Sequence, residues 1–388
     1  MTRPDRHAGT PAGAIPVPGL DLAAAHAELA DEIEEAVLRV LRSGHYILGP
    51  EVEAFEAAYA AYIGVRHCIG LANGLDALRI ALEGYGIGPG DEVVVPSHTY
   101  IATWFAVSGA GARPVPVEVD PATFALDPGR LEAAIGPRTR AVIAVHLYGH
   151  PAPMTEIMEI AARHDLRVIE DAAQAQGATL DGRRAGALGH AAGWSFYPVK
   201  NLGAAGDAGG LTTNDDGLAR HARLVRNQGS VVRSVHEIVG VNSRLDPVHA
   251  AVLSVKLRHL ETANERRRAI ARRYADELAD TRLVLPATAR GVAHAWHQYV
   301  VLHPRRDALR AALADAGVAT LIHYETPPHL QAAYAGLGIA PGSLPVAERI
   351  ALHGLSLPMD PVLRPEQVAN VIQAVRAWDA TDRGAHPG

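Results

Sequence analysis

Lysine is almost absent from this chain. Of 388 residues only Lys200 and Lys256 are lysines, and arginine carries nearly all the positive charge. An ordinary surface cation is therefore written here as arginine, so a surviving lysine invites a chemical explanation. Lysine can lose its proton and condense with a carbonyl as a Schiff base, whereas a guanidinium stays charged and is not a nucleophile. Lys200 sits between an aromatic strand end, Trp194 to Pro198, and the glycine-rich run Gly203 to Gly210, where backbone is cleared for a bound group. Residue type and spacing alone leave a plain loop lysine equally open. Lys256 lies in Ala250 to Leu260, an amphipathic run that reads as helix, and snorkelling accounts for it.

Three further clusters could do chemistry. Val168 to Gln174 ends an apolar strand with Glu170 and Asp171, and ionised groups there are costly unless a cation meets them. A solvated pair of loop carboxylates is the plainer alternative. Asn73-Gly74-Leu75-Asp76 joins a strand to a helix, so the N–H groups of Gly74 and Leu75 point outward where a phosphate is favoured, although any such turn offers as much. Tyr100, in the segment Pro96 to Ile101, could cover the face of a planar ring or fill a core gap. The chain has 20 histidines but no ligand spacing such as His-Glu-x-x-His, so no metal is expected. His146 and His150 read as loop residues. A phosphate-binding P-loop needs its lysine after the glycines, and here the order is reversed.

Ser195 to Gly206, followed by Asp207 and Gly209, resembles the cofactor-lysine signature of the DegT/DnrJ/EryC1/StrS family, sugar aminotransferases that use pyridoxal 5'-phosphate. Other segments extend the likeness from Leu20 to Val371. The resemblance implies that Lys200 holds the cofactor as a Schiff base and then moves the proton. It also implies that Asp171 meets the ring nitrogen, Gln174 bonds the ring hydroxyl and Tyr100 covers the ring. Gly74, Leu75 and Ser195 would hold the phosphate. Asn242, in Val239 to Leu245, would reach the phosphate of a neighbouring subunit's cofactor, making a homodimer with composite active sites. His323, Tyr324 and His329 would face the substrate. The chain departs from the family pattern at Leu75, where many members have a hydroxyl, and at Gln176 and His249. The segments Ala72 to Leu78, Thr99 to Trp104 and Val145 to Gly149 look most like the subgroup that aminates C3 of dTDP-linked 3-keto-6-deoxyhexoses, with L-glutamate as donor. His98 stands where that subgroup has Asn. A 4-keto sugar-nucleotide aminotransferase and a non-catalytic regulator that binds the cofactor are the alternatives.

These residues need a scaffold. Short apolar runs alternate with helical stretches from Cys68 to Ile169, the pattern of an α/β chain with a largely parallel sheet covered by helices, in which ligands bind at the carboxyl ends of strands. The resemblance makes this the aspartate-aminotransferase (type I) fold. After Leu211 the alternation breaks, and from Ala263 the pattern becomes α+β. The length exceeds the ~250–300 residues at which one core stops growing. The expected organisation is a flexible tail at 1–18, a large cofactor-binding domain at 19–261 and a small domain at 262–388. A net charge of −6 gives no electrostatic case for nucleic acid. No apolar stretch approaches a membrane span. The tail does not read as a signal peptide and Cys68 is the single cysteine, so the expected setting is the cytoplasm.

Overall fold

The computed structural model describes residues 16–232 and 234–385. Its centre is a seven-stranded sheet, ordered from edge to edge His67–Leu71, Gly209–Thr213, Ala191–Ser195, Arg167–Asp171, Thr139–Val145, Glu92–Pro96 and Arg113–Val117. Six strands run parallel; Gly209–Thr213 runs antiparallel to both its neighbours. Side-chain alternation explains why helices cover both faces. Val93, Val95, Ile143 and Ile169 join one apolar cluster with the helices Gly74–Gly84 and Ala102–Gly109. Their chain neighbours Val94, Val142, Ala144 and Val168 join another with the helix Met154–Arg163.

The carboxyl ends of the parallel strands share one edge, because the registers pair Val145 with Asp171 and Asp171 with Gly193. Gly209, at the start of the antiparallel strand, meets Leu71 and Ser195 at that same edge. The segments following Leu71, Pro96, Val145, Asp171 and Ser195 therefore converge, which brings together every large-domain residue singled out above except Asn242.

A further apolar cluster gathers the pair Tyr299–Leu302 and Gly354–Leu357 with the helices Arg306–Asp315 and Pro365–Ala385. The boundary expected at 261/262 falls inside one continuous helix, Pro247–Glu277. Of the expected tail, residues 1–15 lie outside the described residues. Val17 is buried in the C-terminal cluster and bridges to Val318, with its N–H donating to the Gly317 carbonyl at 2.9 Å. Among the described residues no helix is long and apolar enough to cross a membrane.

Candidate active site

The convergent edge opens on a cavity of about 810 Å³, ample for a cofactor with a substrate. Lys200, Asp171, Gln174, Ser195, Gly74, Leu75, Tyr100, His323 and Tyr324 all line it. Strand periodicity decides which of the paired carboxylates faces it. Asp171 shares its face with Ile169, while Glu170 turns to the opposite side. There Glu170, fully buried, accepts from the N–H groups of Gly186 (2.6 Å), Leu188 (2.8 Å) and Gly189 (2.7 Å). It also accepts from His146 Nε2 at 2.7 Å. That nitrogen must be the donor, because His146 Nδ1 accepts from the Ala152 N–H. His146 and His150 are thus buried structural groups.

Asp171 is held by its neighbours but left short of charge compensation. Thr103 Oγ1 donates to Oδ2 at 2.7 Å and the Ala173 N–H to Oδ1 at 3.2 Å. Burial pushes its carboxyl above the ordinary range, against those two bonds and the charge of Lys200. Lys200 is lowered to about 8, by burial first, with Asp171 opposing. Among the described residues no hydrogen bond or ion pair holds the Lys200 Nζ. An amine with no hydrogen-bond partner and a buried carboxylate with no ion pair in contact are the two features that a Schiff-base aldehyde and a protonated ring nitrogen would satisfy.

The phosphate end fits as well. The Asn73 side chain caps Gly74–Gly84 by accepting from the Asp76 N–H at 2.8 Å, which leaves the first N–H groups of an 11-residue helix pointing into the cavity. A Cβ added at Gly74 would lie 3.0 Å from Ser195 Cβ, so only glycine keeps the helix start open beside the Ser195 hydroxyl. Leu75 supplies no hydroxyl there. Tyr100 is 54% exposed, with its ring 5.3 Å from that of Tyr324, at the mouth rather than in the core.

Gln174 is engaged at both ends. Its Oε1 accepts from the Tyr148 N–H at 2.6 Å and its Nε2 donates to the Tyr324 hydroxyl at 2.9 Å, which leaves one amide hydrogen for a ring hydroxyl. Tyr148, at φ 58°, is a hub that the sequence did not advertise. Its hydroxyl donates to the His323 carbonyl, so His98 Nε2, 2.8 Å away, must donate to it. These bonds tie the sheet edge to the C-terminal segment. His98 is fully buried and lowered to about 4, chiefly by desolvation.

Two expected residues lie outside the cavity. His329 sits on the short turn Pro328–Leu330, buried, with Nε2 3.0 Å from Glu348 Oε1. It is a structural pair beneath the C-terminal segment. Asn242 is exposed and its side chain does not reach this chain's own cavity. Three residues of the site escaped sequence reasoning. Thr103 follows Thr99 by one helical turn, a spacing that could have suggested a relay, and the two hydroxyls are 2.9 Å apart. Tertiary structure brings in both Tyr148, through its bonds to Gln174 and the His323 carbonyl, and His297, from the foot of the strand-like run before Leu302.

The sequence matches the DegT/DnrJ/EryC1/StrS aminotransferase family over residues 27–376. It is 53% identical over 362 residues to the erythromycin biosynthesis sensory transduction protein EryC1 of Saccharopolyspora erythraea, covering 93% of this chain and 99% of that one. It is also 53% identical over 363 residues to the dTDP-3-amino-3,4,6-trideoxy-alpha-D-glucose transaminase of Streptomyces venezuelae, covering 93% and 96%. The crystal structure of S. venezuelae DesV in complex with a ketimine intermediate superposes with a TM-score of 0.93 at 52% identity, over 94% of this chain and 98% of that one. The architecture is the type I aspartate-aminotransferase fold expected from the sequence. By sequence and by structure the chain belongs to the DegT/DnrJ/EryC1/StrS aminotransferase family.

Proposed function

We propose that this chain is a pyridoxal-phosphate-dependent transaminase that moves an amino group from L-glutamate to the 3-keto carbon of a dTDP-linked 6-deoxyhexose in amino-sugar biosynthesis. It would act as a cytoplasmic homodimer with composite sites. The observation that carries the reading is the amine of Lys200, free of any hydrogen bond, in one cavity with the buried carboxylate of Asp171, which no ion pair contacts. Lys200 would hold the cofactor's aldehyde carbon, and Asp171 would keep a proton on its ring nitrogen. Gly74, Leu75 and Ser195 would take its phosphate, with Asn242 supplied by the partner copy. When bound, pyridoxal phosphate supplies a carbonyl that accepts the donor's nitrogen and a ring that withdraws the electron pair left on the donor's carbon.

The protein's own work is proton handling. With the cofactor bound, the displaced Lys200 amine would take the proton from the donor's α-carbon and return it to the cofactor's C4′, and would do the reverse for the sugar. A terminal amine lowered to about 8 is neutral in a useful fraction of molecules near neutral pH. The choice of C3 rests on the likeness to the S. venezuelae transaminase, whose name places nitrogen at that carbon. A neighbouring ring carbon lies only ~1.5 Å away, so a few side chains can set the choice. One relative is named as a sensory transduction protein, which keeps a regulator that binds the cofactor without turnover as the second reading.

The test is direct. Borohydride should fix the cofactor on Lys200, and Lys200→Ala should bind it without a covalent adduct and fail to transaminate. An adduct on Lys256, or none with cofactor in excess, would refute the lysine assignment. Side-by-side assays of dTDP-3-keto- and dTDP-4-keto-6-deoxyglucose should favour the former. Nitrogen found at C4 would move the assignment to the 4-keto subgroup, and no turnover of any keto sugar would favour the regulator.

A further inference from the structure

His297 lines the cavity beside Lys200, and its tautomer can be deduced without seeing a hydrogen. The deduction starts at two backbone carbonyls, which can only accept. Asn264 Nδ2 donates to the Gln176 carbonyl at 2.9 Å, so Asn264 Oδ1 is an acceptor. Asn201 Nδ2 lies 2.9 Å from that oxygen and 2.8 Å from the Ala295 carbonyl, and must donate to both. Asn201 Oδ1 is therefore an acceptor, and His297 Nδ1, 3.2 Å from it, must carry the ring's hydrogen. Nε2 is left with a bare lone pair. Among the described residues no hydrogen bond engages Nε2, and it is not one of the fully enclosed atoms.

The ring stays neutral. Burial first, then the charges of Lys200 and Arg267, holds His297 well below the ordinary imidazole range. The groups acting on the lysine are equally defined. Asp171 faces it from the strand Arg167–Asp171, and His323, also neutral with a value of about 4, from the C-terminal segment. A single cavity thus holds one cation with no hydrogen-bond acceptor and one acceptor with no donor. Asn201, the residue next to Lys200 in the chain, fixes the second and anchors the backbone of the first.

We propose that His297 is a positioning residue for Lys200, locked by Asn201 in the tautomer whose bare Nε2 accepts a hydrogen bond from the lysine's terminal nitrogen. The bond holds the freed amine over the site instead of letting it retreat along its flexible stem, and it favours the ammonium that must deliver a proton. It rests on Lys200 being the reactive lysine, but both tests use the cofactor-free protein. A failed borohydride adduct and a failed pairing are therefore separate results.

Because the chain has two lysines, protein labelled at the lysine side-chain nitrogen and its adjoining carbon gives two signals, assigned with Lys200→Ala. Burial, with Asp171 opposing, by itself sets the Lys200 amine at about 8, so with the His297 bond added the signal of the unsubstituted protein should titrate above that. In His297→Phe, which keeps a planar ring but no acceptor, the midpoint should fall by about one pH unit, the scale of a hydrogen bond to a charged group. In His297→Gln, whose Oε1 can stand in for Nε2, most of that fall should be absent. An unchanged midpoint in folded His297→Phe, or an equal fall in both variants, overturns the pairing. Independently of any variant, nitrogen NMR of the unsubstituted protein should find His297 protonated at Nδ1 alone near neutral pH. A hydrogen on Nε2 overturns the proposal.

Discussion

Glu170 and Asp171 are adjacent carboxylates with opposite electrostatic situations, and substitution should separate them. Glu170 has four donors around it, so Glu170→Gln leaves donors unmatched in a buried place and should destabilise the cofactor-free fold by about 3–5 kcal/mol. Asp171 is raised by burial, so its ionised form weakens the empty fold above the carboxylate range. Asp171→Asn should therefore leave denaturant stability equal or higher while lowering transamination on the order of 10²–10⁴, about 3–5 kcal/mol of transition-state stabilisation. Activity within twofold of the parent would show that Asp171 does not meet the ring. Lys200 gives a pH signature of its own. Its folded value of about 8 lies below its ordinary 10.5, so below pH 8 the fold carries the full cost of a buried ammonium. Between pH 8 and 10.5 the unfolded chain binds the extra proton, and stability rises with pH. Lys200→Met should accordingly stabilise the cofactor-free protein at pH 7, with the difference closing across that window. A gap independent of pH would mean that the amine is solvated.

At the scale of elements, the least legible strand is the one that shapes the phosphate end. Gly209–Thr213 begins with two glycines, which sequence patterning counts against a strand. The reason is close approach: a Cβ at Gly209 would lie 2.2 Å from the Asn73 carbonyl carbon, and one at Gly210 would lie 3.2 Å from the Phe196 ring. Gly209→Ala must therefore push this strand off the turn that caps Gly74–Gly84. It should cost about 1–3 kcal/mol of stability and weaken cofactor affinity, read by thermal melting and by cofactor titration. If both stay at parental values, the turn is not the phosphate seat. The helix Pro247–Glu277 misleads for a different reason. Its first half buries Ala250 and Leu253 against the sheet, and its second half buries Ile270, Ala271 and Tyr274 in the C-terminal cluster. One rigid element serves two cores, so its apolar pattern shifts midway and reads as a domain boundary. The elements that were legible, such as Arg113–Val117 and Pro50–Ile63, each pack on one core and keep one period. Site residues on strand ends were singled out by likeness to the family's segments, since spacing alone left each of them open. Tyr148 and His297 depend on contacts 175 and 96 residues distant and the seat of His329 on a short irregular turn, and local pattern carries no trace of them.

At the scale of the whole molecule, the expected residue left over is Asn242. It is exposed just beyond the short hairpin Ser230–Val232 and Val235–His236, whose Val231, Val232 and Val235 are each more than half exposed. Val239, three residues before Asn242, is 97% exposed. Such a concentration of apolar side chains in solvent is what a contact surface between subunits requires. In the proposed dimer this segment crosses to the other copy, and each cavity takes its phosphate contact from its neighbour. The arrangement makes a prediction that no single subunit can satisfy. Lys200→Ala and Asn242→Ala should each be impaired as homodimers. Mixed and allowed to exchange, they form heterodimers in which one site has both substitutions and the other has an intact Lys200 facing an intact Asn242. Up to half of the sites in those heterodimers should then regain parental kcat. Recovery should follow subunit exchange, measured with differently tagged copies, and should vanish when Lys200→Ala and Asn242→Ala are placed in the same chain and mixed with either single variant. Exchange without recovery would place Asn242 in its own subunit's site or outside any site, and the exposed valines would then need another partner.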